Sequence, residues 1–128
     1  MLNENVPNQS FATGAVRGSQ KGKGRYDLIS TFAMRRLAGV LERGAARYGD
    51  RNWEKGIDTM RHIDSLKRHL DQYIENQDDE DHLAHMLANA MMLIHTDEMI
   101  KMGVYSNKLD TRPKYQQYDL FYGLESQP

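Results

Sequence analysis

Apolar residues recur every three or four positions in three separate stretches of this chain, and this spacing predicts three amphipathic helices. The helices are expected over about residues 28–48, 58–74 and 81–102. Gly49 and Gly103 follow the first and third stretches, at the position where glycine commonly ends a helix. No segment alternates apolar and polar residues as a half-buried strand does. The chain is therefore predicted to be all-α, a small helical bundle.

The start of each predicted helix carries residues that accept hydrogen bonds from its first N–H groups. Ser30 or Thr31 can cap the first helix. Asp58 or Thr59 can cap the second. The acidic run 78–81 opens the third helix, where negative charge is favoured by the helix dipole. These signals place the helix starts independently of the apolar pattern.

The core of this bundle is thin for its length. Hydrophobic residues make up 39% of the 128 residues and aromatic residues 9%. Three helices with one apolar stripe each bury more surface when a second copy packs against them. We therefore expect a homo-oligomer, a dimer or a tetramer, in which the bundle is completed between copies.

Positive and negative charges nearly balance over the whole chain, but basic and acidic residues are concentrated in separate segments. The formal net charge is −1, which argues against a uniformly basic nucleic-acid-binding protein. Residues 14–25 contain four basic residues and no acid, whereas residues 75–81 contain five acids and no base. All five histidines lie between His62 and His95. This segregation predicts a site that binds both cations and anions.

The chain has no cysteine, which excludes disulfides, thiolate nucleophiles and cysteine-ligated zinc. A reducing cytoplasm is the simplest setting for such a composition. No apolar run approaches the roughly 20 residues that span a bilayer. We expect a soluble protein of the cytoplasm with no membrane partner.

Polar residues of the third predicted helix share one face, opposite a leucine stripe. These polar residues are spaced so that they lie on adjacent helical turns. They are Asp78, Asp81 or His82, His85 and Asn89. Carboxylates and histidines on adjacent turns can hold one divalent metal ion. A solvated acidic helix start with surface histidines is the alternative, and spacing alone favours it.

The second predicted helix also has a polar face, with Arg61, Asp64, Arg68 and His69. These residues form either an ordinary surface ion pair or a second wall of the same site. In the latter case Asp64 and His69 lie near metal and the arginines bind phosphate.

On the first helix, Glu42 lies among small residues and needs a partner, which is a neighbouring arginine or a metal.

The basic segment near the N-terminus has the composition of a phosphate-binding loop without its pattern. The string GKGR matches neither the P-loop motif nor the dinucleotide fingerprint. Its flexible glycines and its cations can nevertheless surround a triphosphate. A disordered basic tail remains the alternative interpretation.

Four strings carry a resemblance to a known family: GAVRGSQKGKGRYDLIS, LERGAARYGDRNWEKGI, the RH pair at 68–69, and DDEDHLAHMLAN. They resemble a phage family of dATP/dGTP diphosphohydrolases, which is similar to the all-α MazG-like nucleoside triphosphate pyrophosphohydrolases. The resemblance covers about residues 12–103. It implies a MazG-like helical bundle that converts dGTP, and also GTP or dATP, to the monophosphate and pyrophosphate. It further implies that dGMP is supplied for phage 2-aminoadenine nucleotide synthesis in the host cell cytoplasm.

With this resemblance the chain divides into three parts. Residues 1–25 are an extended basic arm, residues 26–104 a helical catalytic domain, and residues 105–128 a tyrosine-rich tail. The stretch from Tyr115 to Tyr122 is expected to form a short helical piece or to lie over a partner subunit. The implied partners are a purine deoxynucleoside triphosphate and further copies of the chain, with no nucleic acid and no membrane.

MazG-like enzymes bind Mg²⁺ or Mn²⁺ through ExxE and ExxD motifs, and the matching positions here fall near histidines. Because imidazole suits softer cations, Mn²⁺ or Co²⁺ is favoured over Mg²⁺. The metal ligands implied are Glu42, Asp64, Asp81 and His85. The catalytic residues implied are Glu42, His69 and Glu80. The substrate-binding residues implied are Lys21, Lys23, Arg25, Lys55, Arg61 and Arg68.

Two other functions remain open from the sequence. An HD-type phosphohydrolase would release phosphate or triphosphate. It would bind metal through four histidines: His62, His69, His82 and His85. It is less favoured because no histidine is followed directly by aspartate. A non-enzymatic helical oligomer that binds nucleic acid through the basic arm is the third possibility.

Overall fold

The computed structural model describes residues 7–115, and helices dominate this part of the chain. The helices are α1 (Thr31–Tyr48), α2 (Thr59–Ile74) and α3 (His82–Lys101). Short 3₁₀ segments lie at Tyr26–Leu28, Asn52–Lys55 and Asn107–Leu109. The all-α prediction is confirmed. Within the described residues, no helix combines the length and the apolar content that crossing a membrane requires.

The described chain divides into two compact units, one ending at Met34 and the other beginning at Arg35. The first unit holds a small antiparallel pair of strands, β1 (Gln9–Ser10) and β2 (Val16–Arg17). Its turn is closed by hydrogen bonds between Phe11 and Ala15 and from the Gly14 N–H to the Phe11 carbonyl. Strands of two residues are too short to leave an alternating pattern, so the sequence did not predict them.

The capping signals operate as the sequence predicts. The hydroxyl of Ser30 accepts a hydrogen bond from the Ala33 N–H at 3.2 Å. The carboxylates of Asp58 and Asp81 accept in the same way at the starts of α2 and α3. Gly49 and Gly103 follow the ends of α1 and α3 with φ of 95° and 74°, a conformation that glycine adopts without steric cost.

The buried apolar core of the second unit is small. It contains Leu37 and Val40 from α1 and Ala84 and Ala88 from α3. Leu41 and Met91 are partly buried against this cluster. The α3 contribution is two alanines, which allow the helices to approach closely.

Histidines rather than leucines fill the space between α2 and α3. His62, His69 and His82 are buried, with 4%, 7% and 3% of their surface exposed. By contrast, Leu87 and Ile94 on the other face of α3 are 38% and 67% exposed. An apolar stripe is normally expected to face the core, and here it faces outward. The polar face of α3 points inward because α2 presents a matching histidine face.

The segment that follows α3 returns to the start of α2. Thr111 donates its backbone N–H to the Thr59 hydroxyl at 2.9 Å. The hydroxyl of Thr111 accepts a hydrogen bond from the Met60 N–H at 3.0 Å. Of the helical piece predicted from Tyr115 to Tyr122, all but Tyr115 lies outside the described residues.

Candidate functional site

Two buried histidines meet where α2 runs beside the start of α3. The Nδ1 atoms of His69 and His82 are 2.9 Å apart. His69 lies on the penultimate turn of α2, and His82 is the first residue of α3. The seven residues that join these helices therefore bring together two imidazoles that lie thirteen residues apart in the chain.

Asp79 fixes the proton position on His82. Its Oδ1 lies 2.8 Å from His82 Nε2. A carboxylate only accepts, so His82 donates its Nε2 proton to Asp79. This hydrogen bond lowers the pKa of Asp79, which stays ionised. A neutral His82 then carries its lone pair on Nδ1, the atom that faces His69.

Glu80 and His85 lie beside this pair, and we name the four residues the histidine group: His69, Glu80, His82 and His85. The ring of His85 stacks on that of His69, with centroids 4.7 Å apart and planes 11° from parallel. His85 Nε2 lies 3.6 Å from a carboxylate oxygen of Glu80. Burial, followed by the nearby His85, lowers the pKa of His69. A neutral His69 can offer a lone pair, as a metal ligand must.

The donor set fits a divalent cation. His69, Glu80 and His82 each offer one ligand atom, and these atoms lie within 4.8 Å of one another. Two imidazole nitrogens bound to one ion at about 2.1 Å lie about 3 Å apart, close to the His69–His82 separation. Asp79 supplies the outer carboxylate that usually orients a ligating histidine. Imidazoles with one carboxylate suit Mn²⁺, Co²⁺ or Zn²⁺ better than Mg²⁺.

A cleft of about 770 Å³ opens beside this group, and Glu80 and His85 form part of its wall. Its other walls are the second half of α1, the connection 49–57, and the inward faces of α2 and α3. Trp53, Ile57 and Met92 give it an apolar side. The volume lies within the range of small-molecule and cofactor sites.

Arginines line the cleft: Arg43, Arg47, Arg51 and Arg61. Arg51 pairs with Glu54 at 2.6 Å, and Arg61 lies 3.5 Å from Asp64. Arg43 and Arg47 are exposed and lie one helical turn apart near the end of α1. Guanidinium groups bind phosphate oxygens in a bidentate manner, so this wall suits a polyphosphate.

Between α2 and α3 the cleft has a polar floor. The side-chain amide of Asn89 donates to the His85 carbonyl at 2.8 Å and lies 3.4 Å from the Ser65 hydroxyl. His62 also lines the cleft, and burial lowers its pKa. Its Nε2 is buried with no hydrogen-bond partner among the described residues. This floor therefore presents neutral polar groups next to the cationic wall.

The residues implied as metal ligands are not all in one place. His85 lies in the histidine group, whereas Glu42 and Asp64 are exposed on α1 and α2. Asp81 caps α3 through the Ala84 N–H and forms a two-pronged ion pair with Arg36. Arg36 lowers the pKa of Asp81 to about 2. The metal roles of Glu42, Asp64 and Asp81 stay predictions.

Of the residues implied in catalysis and substrate binding, only some lie in the histidine group or the cleft. Glu80 and His69 lie in the histidine group, and Arg61 lines the cleft. Lys55 is exposed, and Arg68 lies 3.5 Å from the Ser65 hydroxyl. The other three substrate-binding residues belong to the first unit: Lys21, Lys23 and Arg25. Arg25 there forms a two-pronged pair with Asp27, and these three roles stay predictions.

Sequence reasoning left Asp79 out of the site, considered Arg43 and Arg47 only as partners of Glu42, and named His82 on the polar face of the third helix without choosing it as a ligand. The i,i+3 spacing of Asp79 and His82 was a usable signal for an oriented histidine. Likewise, arginines at 43, 47 and 51 repeat at the spacing of one helical turn.

Comparison with known proteins identifies one family. A family model described as dATP/dGTP diphosphohydrolase, N-terminal, matches residues 13–103. The matched span contains all three helices, the histidine group and every residue of the cleft wall. Neither the curated proteins nor the solved structures gave a match to this chain.

Proposed function

The chain belongs to the dATP/dGTP diphosphohydrolase family, and from that membership we propose that it is a metal-dependent pyrophosphohydrolase that converts dGTP to dGMP and pyrophosphate. The observation that carries the proposal is the placement of a His–Glu–His group beside an arginine-lined cleft. Glu80 belongs to both, so a cation site and a phosphate site share this residue at the cleft wall.

Metal dependence is supported by the donor set of His69, Glu80 and His82. A divalent ion held there would neutralise phosphate charge and lower the pKa of a water for attack on phosphorus. Within the chain, Asp79 keeps the Nε2 proton on His82 and leaves the lone pair of its Nδ1, which faces His69, as a possible ligand. We propose Mn²⁺ or Co²⁺ as the more effective cofactor, with Mg²⁺ as a weaker one.

The chemistry proposed for the chain's own residues is positioning, charge stabilisation and proton transfer. Arg43, Arg47 and Arg61 bind the triphosphate and orient its α-phosphorus toward Glu80. Water attacks that phosphorus, the bond from it to the bridging oxygen of the β-phosphate breaks, and pyrophosphate leaves with the bonding electrons. Glu80 or His69 accepts the proton that the water loses. The arginines stabilise the charge that develops on pyrophosphate.

We propose dGTP as the preferred substrate, with dATP and GTP as further substrates. The family description supports a purine deoxynucleotide. Trp53 and Ile57 supply an apolar wall against which a purine can lie. The proposed place of the reaction is the host cell cytoplasm, where dGMP would supply phage 2-aminoadenine nucleotide synthesis.

We further propose that the protein works as a homo-oligomer, a dimer or a tetramer. The outward stripe of α3, defined by Leu83, Leu87 and Ile94, is exposed, and so are Leu70 and Ile74 on α2. Large apolar side chains at regular spacing on a helix are stabilised when a second helix covers them. A second copy of the chain carries the same stripe and can pair with it in two-fold symmetry.

A second function is favoured by one specific observation. His69, His82 and His85 lie together, as an HD-type phosphohydrolase would require of its ligands. Such an enzyme would release triphosphate or phosphate rather than pyrophosphate. The family description favours the pyrophosphohydrolase, and the products distinguish the two.

The test is to incubate the purified chain with each deoxynucleoside triphosphate and GTP, with Mg²⁺, Mn²⁺ or Co²⁺. The products are separated by ion-exchange chromatography. We expect dGMP and pyrophosphate in equal amounts, fastest with Mn²⁺ or Co²⁺. Deoxyguanosine with triphosphate would support the HD-type alternative, and absence of pyrophosphate from every mixture would refute the proposal.

A further inference from the structure

The connection between α1 and α2 forms much of the cleft wall, and its internal backbone hydrogen bonds are those of one short 3₁₀ turn. We name residues 49–57 the cleft loop; it supplies Arg51, Trp53, Glu54 and Ile57 to the wall. Arg51 adopts a left-handed conformation with φ of 58°, and Gly56 has φ of 109°. A non-glycine residue in this region persists when the surroundings hold it in place.

The segment after α3 contacts one end of the loop and holds it in place. We name residues 105–111 the C-terminal clamp. The hydroxyl of Tyr105 donates a hydrogen bond to the backbone carbonyl of Glu54. Burial raises the pKa of Tyr105, so the phenol keeps the proton that it donates. In addition, a Cδ1 atom of Leu109 lies so close to Gly56 that a Cβ there would be only 3.1 Å away.

The clamp also binds the residues that follow the loop. The Thr111 hydroxyl accepts from the Met60 N–H and donates to Asp58 Oδ2 at 2.8 Å. Asp58 Oδ2 in turn accepts from the Arg61 N–H. Thr111 thus adds a second cap to α2 from a distant part of the chain and fixes the point where the loop becomes a helix.

An aromatic contact links the clamp to the loop through α3. The ring of Trp53 meets that of His95 edge-on, with centroids 4.9 Å apart. His95 also faces Tyr105, with centroids 6.2 Å apart. Since His95 belongs to α3, the loop tryptophan packs against a helix residue that the clamp also contacts.

We propose that Tyr105 and Thr111 are positioning residues that hold the cleft loop in the shape that binds the nucleotide. This proposal rests on the proposed function for its substrate, and it concerns residues beyond the family match, which ends at residue 103. Neither residue lines the cleft among the described residues, so both act through the loop. A loop released from the clamp has to be ordered by the ligand, which weakens binding and leaves the chemistry beside the histidines unchanged.

The test uses two variants that remove hydroxyls and little else, Tyr105→Phe and Thr111→Val, with Tyr26→Phe in the first unit as the matched control. Trp53 is the only tryptophan of the chain, so its fluorescence reports the loop alone. Acrylamide quenching of Trp53 is measured without nucleotide. In a second arm, kcat and KM for dGTP are measured with Mn²⁺.

We expect quenching to increase in both variants and KM to rise about fivefold, the factor that one ordinary hydrogen bond supplies. The kcat should stay within about twofold of the wild type, as expected when only binding is weakened. Thr111→Ser keeps the hydroxyl and should restore both readouts. Tyr26→Phe should match the wild type.

Unchanged quenching in both variants would overturn the proposal, and so would a fall in kcat at constant KM. The quenching arm needs no substrate. A wild-type chain that fails to hydrolyse dGTP would therefore refute the proposed function, while quenching alone would still decide whether the clamp holds the loop.

Discussion

His69 and His82 face each other through their Nδ1 atoms at 2.9 Å, in a buried position between two helices. A contact of this length is compatible with both a metal-free and a metal-bound state. Without a cation it is a hydrogen bond in which His69 donates to His82, because a neutral His82 donates its one ring N–H to Asp79 and has only a lone pair on Nδ1. With a cation, both Nδ1 atoms can act as ligands after His69 loses or shifts one proton. The pair thus places two imidazole nitrogens at a separation that one metal ion can span.

The first prediction concerns the two histidines as ligands. Replacing either one, as His69→Ala or His82→Ala, should weaken Mn²⁺ or Co²⁺ binding by more than about 100-fold, beyond what the loss of an outer partner costs. Calorimetric titration of the metal measures this. Asp64→Asn is the comparison, since Asp64 is exposed and lies beside Arg61. Equal losses in Asp64→Asn and His82→Ala would contradict a metal site at the two histidines and support Asp64 as a ligand.

The second prediction isolates the orienting carboxylate. Asp79→Asn replaces the strong acceptor on His82 Nε2 with a weaker one, so metal affinity should fall by about 10- to 100-fold while the fold persists. The neighbouring Asp78→Asn removes the same charge without this contact and serves as the control. If both variants lose affinity equally, then Asp79 acts only through its charge.

The third prediction tests the phosphate wall. Arg43→Gln or Arg47→Gln removes one cation that lines the cleft, and the KM for dGTP should rise about tenfold, as for loss of a charged hydrogen bond. Steady-state kinetics measures the change. Lys101→Gln removes a cation that pairs with Asp97 at the far end of α3 and should leave KM unaltered. A KM that does not respond to Arg43 or Arg47 would exclude these residues from phosphate binding.

Most of the fold could be predicted because its signals are local. Ser30 and Asp58 cap their helices through bonds within one turn, and Gly49 ends α1 through its own backbone freedom. The inward histidine faces could not be predicted in this way. Hydrophobicity favours burial of Leu87 and Ile94, and only the pairing of α2 with α3 shows that His69 and His82 take the interior instead.

The site could be predicted only in part, for a related reason. Glu80, His69 and His85 were named from one-face spacing and from the family resemblance, and the structure places them together. His82 completes the group through a contact across thirteen residues, which no helical spacing reveals. Spacing does not distinguish Asp81, whose carboxylate is held by Arg36, from Asp79, whose carboxylate is held by a histidine.

The fourth prediction concerns acid stability. Arg36 lowers the pKa of Asp81 from 3.8 to about 2 in the folded chain. A lowered pKa stabilises the fold above the unfolded value, near pH 4, and this contribution is lost as pH falls from about 4 toward 2. Since water screens the half-exposed Arg36, we expect Arg36→Gln to lower the free energy of unfolding only modestly at neutral pH.

Urea unfolding of the wild type and of Arg36→Gln at several pH values measures this difference. The difference should shrink as pH falls toward 2, where Asp81 of the wild type is about half protonated, and vanish below it. A difference that persists undiminished at that pH would assign the effect of Arg36 to packing rather than to the ion pair.

The fifth prediction concerns the outward stripe of α3. Leu87→Lys or Ile94→Lys places a charge on the proposed interface between copies and should shift the protein toward the monomer. Light scattering coupled to size-exclusion chromatography measures the mass. Val104→Lys alters an exposed apolar residue just beyond α3 and should leave the mass unchanged. A monomeric wild type would contradict the proposed homo-oligomer.

The central claim is that water attacks the α-phosphorus of dGTP. Hydrolysis in ¹⁸O-labelled water with Mn²⁺, followed by mass spectrometry of both products, tests it directly. The account predicts one ¹⁸O atom in dGMP and none in pyrophosphate. Label in pyrophosphate, or release of triphosphate or of phosphate in its place, would contradict it.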